Sequence, residues 1–125
     1  MVVLDTCALI ELCCEKSSMS EKAVQKIDKG AYILSISFAE IECKCKLKKL
    51  EMDIDTVTLY DQFQHIPGVK IVDISVPDWL RAVNLDWDAN NDPVDRLITA
   101  FAMHHQLSIA TSDKRIRKYY KNCIW

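Results

Sequence analysis

Short apolar runs alternate with capped helical segments along the whole chain, and that alternation limits the fold more than any other feature. Met1–Leu4 is apolar and β-compatible and stops at Asp5. From Thr6 to Cys14, Ala8, Leu9, Leu12 and Cys13 recur at helical spacing. Ser18-x-x-Glu21 reads as a capping box opening a second helix, with Gly30 as its stop. Tyr32–Ile36 reads as a buried strand. Ser37-x-x-Glu40 reads as a further capping box, whose helix runs to about Leu50.

The pattern continues to the end of the chain. A helix is expected over Ile54–His65, stopped by Pro67-Gly68, and Val69, Ile71 and Ile74 mark the next strand. Ser75-x-x-Asp78, with Pro77 in the first turn, opens a helix to about Leu85. Asp86–Asn91 is polar and loop-like, and Asp92-Pro93 starts a helix to about His105. Leu107–Ala110, Lys114–Tyr120 and Cys123–Trp125 read as strand, helix and strand. Strand–helix–strand order implies crossover units. The expected architecture is α/β, one domain over residues 1–125, with a mostly parallel sheet of about five strands and helices on both faces.

Composition narrows the function classes. A formal charge of −2 argues against a broad non-specific nucleic-acid coat, which needs clustered Lys and Arg. The basic residues gather in two runs, Lys44–Lys49 and Lys114–Lys121; each is either a solvated helix face or a phosphate contact. No apolar run reaches the length of a membrane span, and the opening residues lack the basic flank of a signal peptide. A cytoplasmic protein is expected. Six cysteines lie in apolar-periodic segments, where they are expected to pack as small buried hydrophobes rather than as disulfides or a zinc site. Trp79 and Trp87 are expected in the core.

Four acids stand where such a fold binds ligands, just beyond the carboxyl ends of its strands. Asp5 follows the first strand, Glu40 lies soon after the second, and Asp113 follows Leu107–Ala110 after Thr111-Ser112. Asp95 occupies the first turn of its helix. Each has an ordinary alternative: Glu40 and Asp95 fall at the third helical position, where a carboxylate caps, Asp92 is a natural N-cap, and Asp113 precedes a helix. Asp5 is the one acid that capping leaves unexplained, and capping does not predict convergence on one edge. Clustered carboxylates repel unless a cation neutralises them. Hard oxygen donors suit Mg²⁺ or Mn²⁺, which activate water for phosphodiester hydrolysis. Thr111 or Ser112 would orient that water.

With these residues in order, the chain resembles the PIN-domain family, and within it the VapC-type ribonuclease toxins of toxin–antitoxin pairs. The resemblance rests on Val3-Leu4-Asp5-Thr6, on Ser37-Phe38-Ala39-Glu40-Ile41 with Lys44, and on Asp92-Pro93-Val94-Asp95-Arg96-Leu97-Ile98. Ile109-Ala110-Thr111-Ser112-Asp113 and Cys123-Ile124-Trp125 complete it. It implies a PIN-like fold whose metal-binding, catalytic acids are Asp5, Glu40, Asp95 and Asp113. Asp92, Thr6 and Thr111 would be auxiliary, and Arg96 would hold a neighbouring carboxylate or the antitoxin. An RNA substrate, a cognate antitoxin and a homodimer are implied in the same way. The alternatives are a catalytically inactive PIN-like scaffold that binds partners, and a receiver-type phosphoacceptor domain. The receiver would need adjacent acids after the first strand, whereas Thr6 follows Asp5 and Asp73 lies inside a strand-like run.

Overall fold

A computed structural model describes all residues, 1–125. In chain order the elements are β1 (Val2–Leu4), α1 (Thr6–Glu11), α2 (Glu21–Asp28), β2 (Ala31–Leu34), α3 (Ile36–Lys46) and α4 (Thr56–Gln64). They continue with β3 (Val69–Val72), α5 (Val76–Val83), α6 (Pro93–His105), β4 (Ser108–Ala110), α7 (Lys114–Tyr119) and β5 (Cys123–Ile124). The five strands form one sheet in the order β3-β2-β1-β4-β5, and every pairing is parallel. The expected α/β architecture is therefore present. No helix is long and apolar enough to cross a membrane.

Strand periodicity divides the core in two. Val2 and Leu4, with Ala31, Ile33 and Ala110, point to one face and pack with Leu9, Ala23, Phe38, Ile41, Leu59 and Phe63 from α1–α4. Val3, Leu34 and Ile109 point to the other face, against Ala82 of α5, Leu97, Ile98 and Phe101 of α6, and Ile116 of α7. Alternation of side chains along a strand buried on both faces accounts for the unbroken apolar runs in the sequence. Successive crossovers travel from β1 out to β3, then return to the opposite side of β1 through β4. The strand order reverses between β1 and β4, and the crevice at such a switch point is where open parallel sheets bind ligands.

Several helix starts differ from the sequence expectation. Ser20, not Ser18, caps α2, its side chain accepting from Ala23 N; Ser18 N instead donates to Glu11 at 2.5 Å. Helix α3 begins one residue before Ser37, behind Ser35, which makes no side-chain cap. Ser37 is fully buried inside the helix and accepts a 3.1 Å hydrogen bond from Thr6 Oγ1. Tertiary burial overrode a local capping signal there. Glu40 is consequently beyond the first turn and does not cap. Helix α3 ends at Lys46, where Lys48 adopts φ +57°. Helix α1 stops at Glu11, before Cys13 and Cys14, whose N–H groups turn back to Ile10 O and Glu11 O.

The cysteine expectation fails for four of the six, while Cys45 and Cys123 pack against the core. All six are free; Cys7, Cys13, Cys14 and Cys43 are exposed, and Cys45 and Cys123 are partly buried. Their apolar neighbours, not the thiols, carry the core. Trp87 is buried and stacks on Tyr119 with ring centroids 4.6 Å apart, whereas Trp79 is 39% exposed.

The capping box at Ser75 is present as expected. Asp78 N donates to Ser75 Oγ at 3.2 Å, while Asp78 Oδ2 accepts from Ser75 N at 3.0 Å. Ser75→Ala is expected to cost about 1 kcal/mol of stability, read as a lower urea midpoint at unchanged m-value. A midpoint equal to the parent's would show that the box adds nothing to α5.

Candidate metal centre

Asp5 leaves the end of β1 and caps α1, its Oδ1 accepting from Ala8 N at 2.7 Å. Capping thus explains Asp5 after all, through one oxygen. The other oxygen accepts a hydrogen bond from Thr111 Oγ1, which lies beyond the end of β4. Because β1 and β4 are neighbours in register, Leu4 opposite Ala110, the bond spans the point where the strand order reverses. Thr111 Oγ1 in turn accepts from Asp113 N at 3.0 Å. One hydroxyl therefore ties the two strand-end acids together.

Asp5 is only 4% exposed. Burial pushes its pKa up to about 6, against the opposing hydrogen bonds from Thr111 and Ala8; the charges of Asp95 and Asp113 raise it further. Asp95 is also held above its ordinary value. Burial is the main cause, and the charges of Asp92, Asp113 and Glu40 add to it against a hydrogen bond from Asn90. Asp5 therefore lies within reach of the charges of Asp95 and Asp113, and Asp95 within reach of those of Asp113 and Glu40. Helices α1, α3, α6 and α7 each contribute to this edge, either through an N-cap or through a residue of the helix.

The roles of the neighbours are specific. Asp92 caps α6, Oδ1 accepting from Val94 N at 2.9 Å and from Asp95 N at 3.1 Å. Asp113 caps α7, accepting from Arg115 N at 2.7 Å and from Ile116 N at 3.2 Å. Asp95 does not cap: its Oδ2 accepts from Asn90 Nδ2 at 3.0 Å. Asn90 is 1% exposed, and its own Oδ1 accepts from Asp92 N at 2.9 Å. This asparagine was missed by the sequence reading. Its signal was an Asx residue two positions before an N-cap, a pattern that turns the backbone.

Arg96 does not hold a carboxylate, the first of the two roles expected of it. Its guanidinium donates to five backbone carbonyls: Ala82 at 3.0 Å, Trp87 at 2.6 Å, Asn90 at 2.9 Å, Val83 at 3.2 Å and Leu85 at 2.8 Å. It gathers the end of α5 and the loop that delivers Asn90. Thr6 is buried and supports the edge indirectly, through its bond to Ser37.

Two cations flank the acids. Lys44 Nζ is 3.5 Å from Glu40 one turn away on α3. Arg115 Nη2 lies 3.4 Å from Asp95 Oδ2 and 3.5 Å from Asp113 Oδ2. The donor set is all oxygen and suits a hard divalent ion in kind. No group of three or more His, Cys, Asp or Glu side chains makes a ready-made metal cluster, however. A cation would have to draw them inward. A separate cleft of about 360 Å³, lined by Trp79, Trp87, Pro93 and Arg96 among others, contains none of the four acids.

The PIN domain family model matches residues 2–122. Among solved structures, a chain of a toxin–antitoxin complex from Klebsiella pneumoniae superposes with a TM-score of 0.66 at 20% identity, covering 100% of this chain and 97% of that one. FitAcB from Neisseria gonorrhoeae gives 0.62 at 21% identity, covering 93% and 90%. FitAB bound to a DNA fragment gives 0.65 at 18% identity, covering 100% and 94%. At these identities the likeness is one of fold. No curated protein matches the chain in sequence.

Proposed function

The chain belongs to the PIN-domain family, and on that premise we propose that it is a nuclease which hydrolyses RNA phosphodiester bonds internally with Mg²⁺ or Mn²⁺ held by Asp5, Glu40, Asp95 and Asp113. What supports this reading is that Asp5 lies within reach of the charges of Asp95 and Asp113, and Asp95 within reach of those of Asp113 and Glu40, with Asp5 and Asp95 both raised chiefly by burial. A protein that keeps mutually repelling acids half-buried gains nothing in stability from them unless a cation is to be bound.

When bound, the divalent ion lowers the pKa of a water and offsets charge developing at phosphorus. The chain's own residues do the rest. Asn90 fixes the direction of Asp95, and Thr111 holds Asp5 and Asp113 at a set separation through its hydroxyl. Arg96 and Asp92 act as positioning residues. Family membership sets aside the receiver-type alternative. Asp73 lies just past the end of β3 rather than inside it, and β2 separates β3 from β1 and Asp5.

The toxin role belongs to the same proposal, with a small antitoxin protein as partner and a homodimer as the working assembly. Its support is the likeness to a chain from a toxin–antitoxin complex. The inactive-scaffold reading has one observation in its favour, the absence of a ready-made metal cluster.

Incubation of the purified protein with single-stranded RNA and DNA, with Mg²⁺ or Mn²⁺ and with EDTA, separates these readings. Metal-dependent internal cleavage of RNA is expected, with Asp95→Asn reducing the rate at least about 100-fold, the usual order for removing a group that supports developing charge. Parental activity in that variant would remove Asp95 from the site. Cleavage of DNA alone would correct the substrate. No cleavage of either under any metal would favour the scaffold.

A further inference from the structure

Arg115 stands where its charge counts most. Its backbone is fixed in the first turn of α7, its N–H donating to Asp113 Oδ1 at 2.7 Å. Its guanidinium reaches back over the acidic edge, where a single nitrogen, Nη2, lies between Asp95 Oδ2 at 3.4 Å and Asp113 Oδ2 at 3.5 Å. Both contacts are long, and the side chain is 57% exposed. Structural arginines in this protein look different. Arg81 holds Asp78 at 2.8 Å, and Arg96 makes five carbonyl contacts. Arg115 is a loosely held counter-ion that joins two acids from different helices.

We propose that Arg115 competes with the divalent cation for Asp95 and Asp113. This rests on the metal-centre reading above. A small divalent ion needs its oxygen ligands at about 2.0–2.1 Å, much closer than a guanidinium nitrogen allows. While Nη2 sits between the two carboxylates, they cannot close on an ion, in keeping with the lack of a ready-made cluster of three ligating side chains. Binding of the ion expels the guanidinium into solvent, and the exposed, weak pairing makes that exchange inexpensive. Arg115 thereby sets the metal concentration at which the site fills, and limits repulsion among the acids when it is empty.

The test is Mn²⁺ titration of EDTA-stripped, dialysed full-length protein, followed calorimetrically and by the loss of the free Mn²⁺ paramagnetic resonance signal. Arg115→Gln is expected to bind Mn²⁺ roughly three- to tenfold tighter than the parent, the span set by loss of an exposed ion pair. Arg115→Lys, which keeps the charge, is expected to stay within about twofold of the parent. The Mn²⁺-induced rise in thermal midpoint should be larger for Arg115→Gln. Unchanged affinity in Arg115→Gln would show that the pairing does not oppose the ion. Weaker affinity would make Arg115 a support of the site; either result overturns the proposal. Asp5→Asn serves as the control for the reading beneath it. If that variant binds Mn²⁺ as the parent does, or if no protein in the set binds it, the metal centre itself is misplaced.

Discussion

Asp5→Asn in EDTA at pH 7 is expected to be more stable than the parent by up to about 3 kcal/mol, and to have lost metal-dependent cleavage. The energy follows from linkage. Asp5 has an ordinary pKa of 3.8 and is raised to about 6 in the folded protein, chiefly by burial. Below the ordinary value both folded and unfolded chains carry the protonated acid, and no penalty exists. As pH rises past it the unfolded chain ionises first. The folded chain ionises only near pH 6, and above that value it bears the whole cost of a charge in a dry site. Asp5 therefore contributes stability that is present at low pH and lost as pH rises through about 6.

Asparagine mimics the protonated acid. Its carbonyl oxygen can accept from Ala8 N, and its amide meets the Thr111 hydroxyl that Asp5 Oδ2 now engages. The two proteins should have matching denaturant midpoints near pH 4, and their difference should open between pH 4 and pH 7. Taking the difference between variants cancels acids remote from Asp5, such as Asp78, whose lowered pKa has the opposite pH dependence. A gap independent of pH, or a less stable Asp5→Asn, would contradict the account of Asp5. A destabilising charge retained at a binding edge is the usual sign of stability given up for function.

Most of the fold was legible because a parallel sheet covered on both sides demands unbroken apolar strands and long crossovers. Val2–Leu4, Ala31–Leu34 and Ser108–Ala110 satisfy that demand almost residue by residue. The failures came where a local pattern competed with burial. Ser37 has the sequence context of an N-cap, yet its hydroxyl is worth more as a buried partner of Thr6. The cysteines share their apolar segments with better hydrophobes, and those took the interior.

The candidate site divides in the same way. Topology accounts for Asp5 and Asp113, which lie just past β1 and β4, whereas Glu40 and Asp95 lie inside α3 and α6. The supports do not follow from topology. Asn90 and Arg115 act across spans of 5 and 20 residues, from a loop and from a basic run whose signals point equally to solvent. The ordinary reading of Glu40 was wrong for a stated reason, the earlier start of α3, whereas that of Asp113 was right: it caps α7 and faces the acids too.

Arg96→Ala is expected to lose roughly 3 kcal/mol of stability, a large part of the ~5–15 kcal/mol typical of a domain. The guanidinium is the only protein donor to the carbonyls of Val83, Trp87 and Asn90, while those of Ala82 and Leu85 also accept from the backbone N–H of Leu85 and Trp87. Ala82 and Val83 lie in the last turn of α5, where carbonyls lack intrahelical partners, and Leu85, Trp87 and Asn90 belong to the irregular segment that follows. Charged donors make each bond stronger than a neutral one, and truncation leaves several acceptors unpaired at once. Lysine cannot substitute: one ammonium has three donors and no planar fork to span five oxygens. Arg96→Lys should therefore recover less than half of the loss in urea unfolding. The effect should also reach the acids, because the loop that Arg96 gathers carries Asn90, and Asn90 directs Asp95. In Arg96→Lys at a temperature where it remains folded, Mn²⁺ affinity should fall several-fold although no metal-facing oxygen has been removed. A variant that unfolds near the parental urea midpoint would show that solvent replaces these bonds. One that loses stability but binds Mn²⁺ unchanged would confine Arg96 to the fold and detach it from the site.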